Sequence, residues 1–390
     1  MRAPVVAYLE LACLSYAEDD DEAPRRAAAA AQLLAEHPVI ARTDPHVAAA
    51  ASDVDSLARQ LADDPEAVNR AGGPHDWPPL LYLCYARHDR SLDEAAVLAT
   101  ARLLLESGAD PDARFHWQGL DPPFTALTGA FGGGERGQPP HPHAIALARV
   151  LLDAGADPND GQTLYNRQFT PDDSHLELLF AYGLGRGEAG AALLRDQLRW
   201  AITHGMTDRA RLLAAHGVDV ETPFPSGPTP AALALTSGYP EMVAALGVPA
   251  PTLTPPDALT AAALTADRAT WDALRAEHPD EIESLRAQRP GLTVWAASHG
   301  RPGAVGILLD AGWPVDAMGR TDVPRDDPWQ TALHAAAQAG DVALARDLLA
   351  RGADPTIRDA QFGGTPGDWA RFFQHPEVAA LLTPTDPDGP

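Results

Sequence analysis

DDPWQTALHAAAQAGDVALARDLLARGADPTIR, residues 326–358, reads as two short helices, each closed by a glycine. Gln330 and Thr331 open the first, TALHAAAQAG, and Gly340 ends it. Asp341 then caps a second, VALARDLLAR: a carboxylate just ahead of a helix accepts from backbone N–H groups that have no intrahelical partner. Val342, Leu344, Ala345, Leu348 and Leu349 fall on one apolar stripe of that helix. Gly352 ends it in the left-handed conformation that glycine adopts without steric cost.

The same ending recurs upstream. LLLESGADPD (103–112), VLLDAGADPND (150–160) and LLAAHGVDVE (212–221) are close copies, and ILLDAGWPVDA (307–317) is a looser one. One helix-ending signal repeated along a chain marks a stacked-repeat architecture. Weaker helix pairs fill the intervals, at 44–69 (with Asp53 as a cap), 78–112, 124–159, 195–221, 229–247, 256–280 and 292–316, with a shortened one at 174–185. The pair at 124–159 carries a glycine- and proline-rich insertion, GGGERGQPPHPH.

TALHAAAQAG followed by GADPT resembles the ankyrin repeat, whose pattern is G-x-TPLH-x-AA-x-x-G, a second helix with LL, then GADPN. Ala332 stands in the proline place. Gly227-Pro228-Thr229-Pro230 with Gly238, and Gly364-Thr365-Pro366 with Ala370, match the same opening. The resemblance covers almost the whole chain. It implies an all-α ankyrin-repeat solenoid of about ten helix-turn-helix units, with irregular finger loops. The intervals between Gly108, Gly155, Gly217, Gly312 and Gly352 are uneven, so several units are degenerate or carry insertions. The expected organisation is a diverged capping helix pair over 1–42, a first sub-array over 43–246, a proline-rich kink or distorted finger at 247–257, a second sub-array with its cap over 258–382, and a tail at 383–390.

Composition narrows the partners. Arginine supplies all 29 basic residues, there is no lysine, and 54 acidic residues leave a formal charge of −25. A field of that sign repels phosphate backbones and anionic lipid, so nucleic acid and membrane surfaces are poor partners and a basic protein or peptide is the better match. Cys13 and Cys84 lie in apolar helical stretches with no metal-ligand spacing, which fits free thiols in a reducing compartment. The first residues lack a signal-peptide pattern and no apolar run is long enough to span a bilayer, so the expectation is a cytoplasmic bacterial protein.

No catalytic signature emerges, and neither a cofactor nor a metal is expected. His334 lies in TALH, where the resemblance implies a structural hydrogen-bonding role. His141 and His143 have a two-ligand spacing, but no further pair completes a metal site. The FGGGERG run reads as an insertion loop, since a phosphate loop would need its lysine.

Trp77, Trp117 and Trp329 lie in polar, proline-rich stretches just ahead of first helices. The resemblance makes those stretches finger hairpins bordering a concave face. Large aromatics and arginine there are either binding anchors or covers folded over the neighbouring finger. The expected partner-binding residues are Trp77, Arg114, Trp117, Asp121, Asp326 and Trp329, on fingers at 70–79, 112–123, 159–169, 221–228 and 314–329. The reading is a non-enzymatic scaffold that binds protein through its concave face and fingers. Oligomer assembly, or a tether for a neighbouring gene product, is an alternative. So is an enzyme or small-ligand site in the inserted 114–143 segment.

Overall fold

A computed structural model of the chain describes residues 2–14, 16, 23–87, 93–225, 227–320 and 328–383. The chain divides into two compact units, Met1–Gln197 and Leu198–Pro390. The division lies ahead of the proline-rich 247–257 segment, inside a helix.

In the first unit the helices are α1 (Arg2–Ala12), α2 (Ala23–Glu36), α3 (Val39–Thr43), α4 (Pro45–Ala50), α5 (Val54–Asp63), α6 (Pro79–Tyr85), α7 (Glu94–Glu106), α8 (Ala126–Phe131), α9 (Ala144–Asp153), α10 (Gly161–Arg167) and α11 (Ser174–Ala181). Alternate helices pack on one another: α4 on α6, α6 on α8 and α8 on α10, with α5 on α7, α7 on α9 and α9 on α11. The core between them is small and apolar, with Ala48, Leu57, Leu81, Ala101, Leu104, Ala130, Leu147 and Leu151 fully buried. Alanine at such contacts lets short helices approach closely.

α12 (Gly187–Thr203) contains the division. The second unit continues with α13 (Thr207–Ala215), α14 (Pro230–Thr236), α15 (Glu241–Leu246), α16 (Pro255–Leu264), α17 (Arg268–Glu277), α18 (Pro279–Gln288), α19 (Leu292–Ser298), α20 (Pro302–Asp310), α21 (Ala332–Ala339), α22 (Val342–Ala350), α23 (Pro366–Phe372) and α24 (Pro376–Leu382). α13 packs on α15, α14 on α16, α19 on α21, α21 on α23 and α22 on α24. Trp271, Trp295 and Trp369 join one apolar cluster there, whereas Trp200, on α12, is half-buried and stacks on His204.

Most helices are too short to persist alone, so their ends carry much of the specification. Asp53 accepts from the Ser56 N–H at 3.0 Å, and Asp341 from the Leu344 N–H at 2.9 Å. Each such cap contributes about 1 kcal/mol. The closing glycines, Gly108, Gly155, Gly217, Gly312 and Gly352, all have φ between 81° and 102°, where any side chain would be strained. Acidic residues at the same turns link successive pairs. The Asp157 N–H donates to Asp112 at 2.9 Å, and the Asp354 N–H to Asp316 at 3.0 Å. These carboxylates are structural ties as well as surface charge.

Two stretches differ from the sequence reading. The expected finger at 159–169 is largely the helix α10, because Asp160 caps it and its apolar side chain Leu164 is buried. α18 lies between the helix pairs expected at 256–280 and 292–316, with Ile282 and Leu285 turned into the core.

Candidate functional site

Two fingers close as antiparallel hairpins. In the first unit β1 (Arg114–Phe115) pairs with β2 (Phe124–Thr125); in the second, β3 (Met318–Gly319) pairs with β4 (Gln330–Thr331). The first hairpin stands on a bed of rings. Phe115 lies 4.5 Å from Trp77 and 5.5 Å from both Tyr85 and Phe124, centroid to centroid. Trp77 is only 5% exposed. Its indole packs against Tyr82, Tyr85 and Phe115 at the base of the finger.

The tip of the hairpin remains open. Trp117 is half-buried, with its ring 6.3 Å from Phe124, and a tight turn at Gln118–Gly119 follows it. Asp121 has an 84% exposed side chain, 3.2 Å from His116 Nδ1. Arg114 is exposed on β1, opposite Thr125.

The insertion after α8 folds back beside this tip. Gly132, Gly133 and Gly134 all have positive φ. A Cβ on Gly133 would lie 2.5 Å from the Asn166 carbonyl oxygen, so only glycine lets the loop run against α10. The Gly134 N–H donates to that same oxygen at 2.7 Å. Arg87 holds the loop from below, donating to the carbonyls of Pro139, Cys84, Ala86 and Gly129. Burial pulls the Arg87 guanidinium down to a pKa of about 10, and the carbonyls are what keep its charge tolerable there.

α10 is fixed by Asp160. One carboxylate oxygen accepts from the Thr163 N–H at 3.0 Å; the other accepts from the hydroxyls of Thr163, Thr128 and Thr125. Burial raises the Asp160 pKa, while these donors oppose the rise.

Hairpin tip, insertion and α10 together enclose a pocket of about 600 Å³. Tyr16, Trp117, Phe124 and Tyr165 contribute rings; Gln162 and Asn166 contribute amides; Asp121, Glu135 and Arg136 contribute charge. The polar groups are linked: Gln162 Nε2 donates to Asn166 Oδ1 at 2.8 Å, Asn166 Nδ2 to the Tyr16 hydroxyl at 3.2 Å, and the Tyr165 hydroxyl to Glu135 at 2.6 Å. Such an arrangement can hold a ligand group by stacking and hydrogen bonds.

Of the expected contact residues, Trp117 and Asp121 meet at this pocket and Arg114 lies on the same hairpin. Trp329 lies beside the second hairpin, half-buried, with the Arg320 guanidinium 5.4 Å over its ring. Asp326 falls outside the described residues. Tyr16, Gln162, Tyr165, Asn166 and Glu135 were missed. The one sequence signal for three of them was the Asp160-Gly-Gln-Thr163 cap, which announces α10.

The remaining candidates are structural. His334 accepts or donates through Nδ1 to Thr331 Oγ1 at 2.9 Å and through Nε2 to the Gly364 carbonyl at 3.1 Å, tying α21 to the next opening turn. The buried His141 ring accepts the His143 N–H at 3.1 Å. Among the described residues no group of three or more His, Cys, Asp or Glu side chains is placed to hold a metal. Burial pushes both the Cys13 and Cys84 thiols up to about 12, so neither is reactive at neutral pH.

Residues 329–360 match the family model described as Ankyrin repeat. No curated protein matches the chain.

Proposed function

The chain is an ankyrin-repeat protein, and on that premise we propose that it is a non-enzymatic scaffold that binds a protein partner through its fingers. The other helix pairs are then diverged copies of the 329–360 unit, making a solenoid of about ten repeats whose concave side and fingers form the contact surface. The observation that carries this reading is the 114–125 finger. It is held rigidly from beneath by Trp77 and Phe115, while Trp117 and Asp121 stay open at its tip. A preformed tip loses little conformational freedom on association. The charge of −25 favours a basic partner, steering it to the surface and discouraging nucleic acid and anionic membrane. Buried free thiols fit a cytoplasmic setting, and among the described residues no helix is long and apolar enough to cross a membrane.

Crosslinking in the native host tests the proposal. The expected result is a reproducible protein partner that is lost on Trp117→Ala or Asp121→Ala and kept on Phe372→Ala, a substitution at an exposed aromatic far along the chain. A partner insensitive to every finger substitution, or none at all, defeats it. The pocket of about 600 Å³ favours one second reading, a free small-molecule ligand in the 114–143 segment. A co-purifying metabolite in place of a protein would select that reading.

A further inference from the structure

We infer that the pocket between the hairpin tip, the glycine-rich insertion and α10 takes the guanidinium of an arginine on a basic segment of the partner. The inference rests on the partner-binding reading and specifies what its finger recognises. Three layers of the pocket point to that chemistry. The walls are aromatic, with Trp117, Tyr16, Phe124 and Tyr165 around one space, and aromatic faces attract a flat cation through the ring quadrupole.

The floor offers an acceptor. Gln162 is only 6% exposed, and its Nε2 is committed to Asn166. Its Oε1 receives no hydrogen bond from any described residue, yet the side chain lines the pocket. That oxygen is accessible from the pocket, so a donor that enters can reach it.

The mouth is acidic. Asp121 and Glu135 are exposed there, and the Tyr165 hydroxyl holds Glu135 in place at 2.6 Å. Arg136 shares the mouth and offsets one of the two carboxylates, leaving one net negative charge on a chain whose formal charge is −25.

A guanidinium satisfies all three layers at once. It is flat enough to lie against Trp117, carries five N–H donors for Gln162 Oε1 and the carboxylates, and is weakly hydrated. A carboxylate or phosphate would meet two carboxylates and an acceptor. A lysine ammonium is more strongly hydrated and gains less from the flat walls. The space, about 600 Å³, exceeds one guanidinium and leaves room for the neighbouring peptide backbone.

The test is a titration of the full chain with N-acetyl-arginine methylamide and with its neutral isostere, N-acetyl-citrulline methylamide. The signal followed is the Trp117 indole N–H resonance, assigned by its loss in Trp117→Phe. The expected result is a saturable shift with the arginine compound and about tenfold weaker binding of the citrulline compound. Glu135→Gln, at an exposed position, should weaken the arginine compound about threefold or more without altering the melting temperature. Equal binding of the two compounds, no saturation by either, or an unchanged affinity in Glu135→Gln would each overturn the inference. A partner captured through the finger alongside a pocket that ignores arginine would leave the partner-binding reading standing. Arginine binding without any protein partner would do the reverse.

Discussion

In the unit that begins at Gln330, polar side chains serve the chain itself, whereas in residues 114–167 several are turned toward open space. His334 bridges Thr331 and the Gly364 carbonyl. Asp359 accepts from the Trp369 indole at 3.0 Å and from the Gly364 N–H at 2.8 Å. Among the described residues the exception is the Gln330 side-chain amide nitrogen, which is buried without a partner. The 114–167 region starts from the same two-helix plan, then inserts residues after α8 and replaces a finger with α10. Its reward is a pocket whose acceptor, rings and carboxylates are not all consumed internally. Consensus positions thus report how the units hold together, and on the proposed function the departures from consensus are where recognition would be built.

Substitutions sharpen that contrast. The largest effect is expected within the irregular region, between the base and tip of one finger. Trp77→Ala should cost about 3–5 kcal/mol, as for other buried aromatics, while Trp117→Ala should cost less than about 1 kcal/mol; urea titration of the two variants measures both. Equal costs would mean that the tip is part of the core.

Acid should loosen the second unit more than the first. Burial lowers the pKa of His299 to about 4, with Arg301 and His204 adding to the effect, and burial lowers His334 in the same direction. A histidine depressed in the folded state takes up its proton first in the unfolded chain. Its contribution is therefore complete above about pH 6.5 and is lost as pH falls toward 4. For His299 alone the loss is on the order of 3 kcal/mol. Hydrogen exchange at pH 7 and pH 4.5 should show α19 losing protection; unchanged protection there would refute the assignment.

Two capping aspartates should then separate. Asp160→Ala strands the Thr125 and Thr163 hydroxyls as well as a backbone donor and should cost about 3 kcal/mol. Asp341→Ala removes a single backbone partner, with an expected cost of about 1 kcal/mol. Similar midpoints in urea would remove the distinction between the two regions. Smallest of all, Glu135→Gln should change stability by less than about 0.5 kcal/mol, read from the same titration.

Much of the fold was legible because its signals are local. Asp53, Asp341 and the closing glycines act within a turn of the residues they terminate, so order along the chain is enough to find them. Trp77 was harder. Its neighbours in sequence are polar and proline-rich, but Phe115, which covers it, lies far along the chain and arrives only when β1 pairs with β2. α10 was obscured because its apolar content is low, leaving the cap as its only announcement. The pocket itself was legible as a segment, 114–143, but not as a set of groups. Tyr16 reaches Asn166 across the whole first unit, and no periodicity relates the two.

Arg87 carries a consequence for anyone who would remodel this region. Its four carbonyl partners include Pro139 within the insertion and Gly129 just ahead of it. Trimming 132–143 to the length of an ordinary turn would remove the Pro139 carbonyl and leave this half-buried cation short of one of its four acceptors. Loop and arginine are therefore a single part: a shortened version needs an apolar residue at position 87 at the same time, and grafting the loop onto another repeat means transplanting the arginine with it.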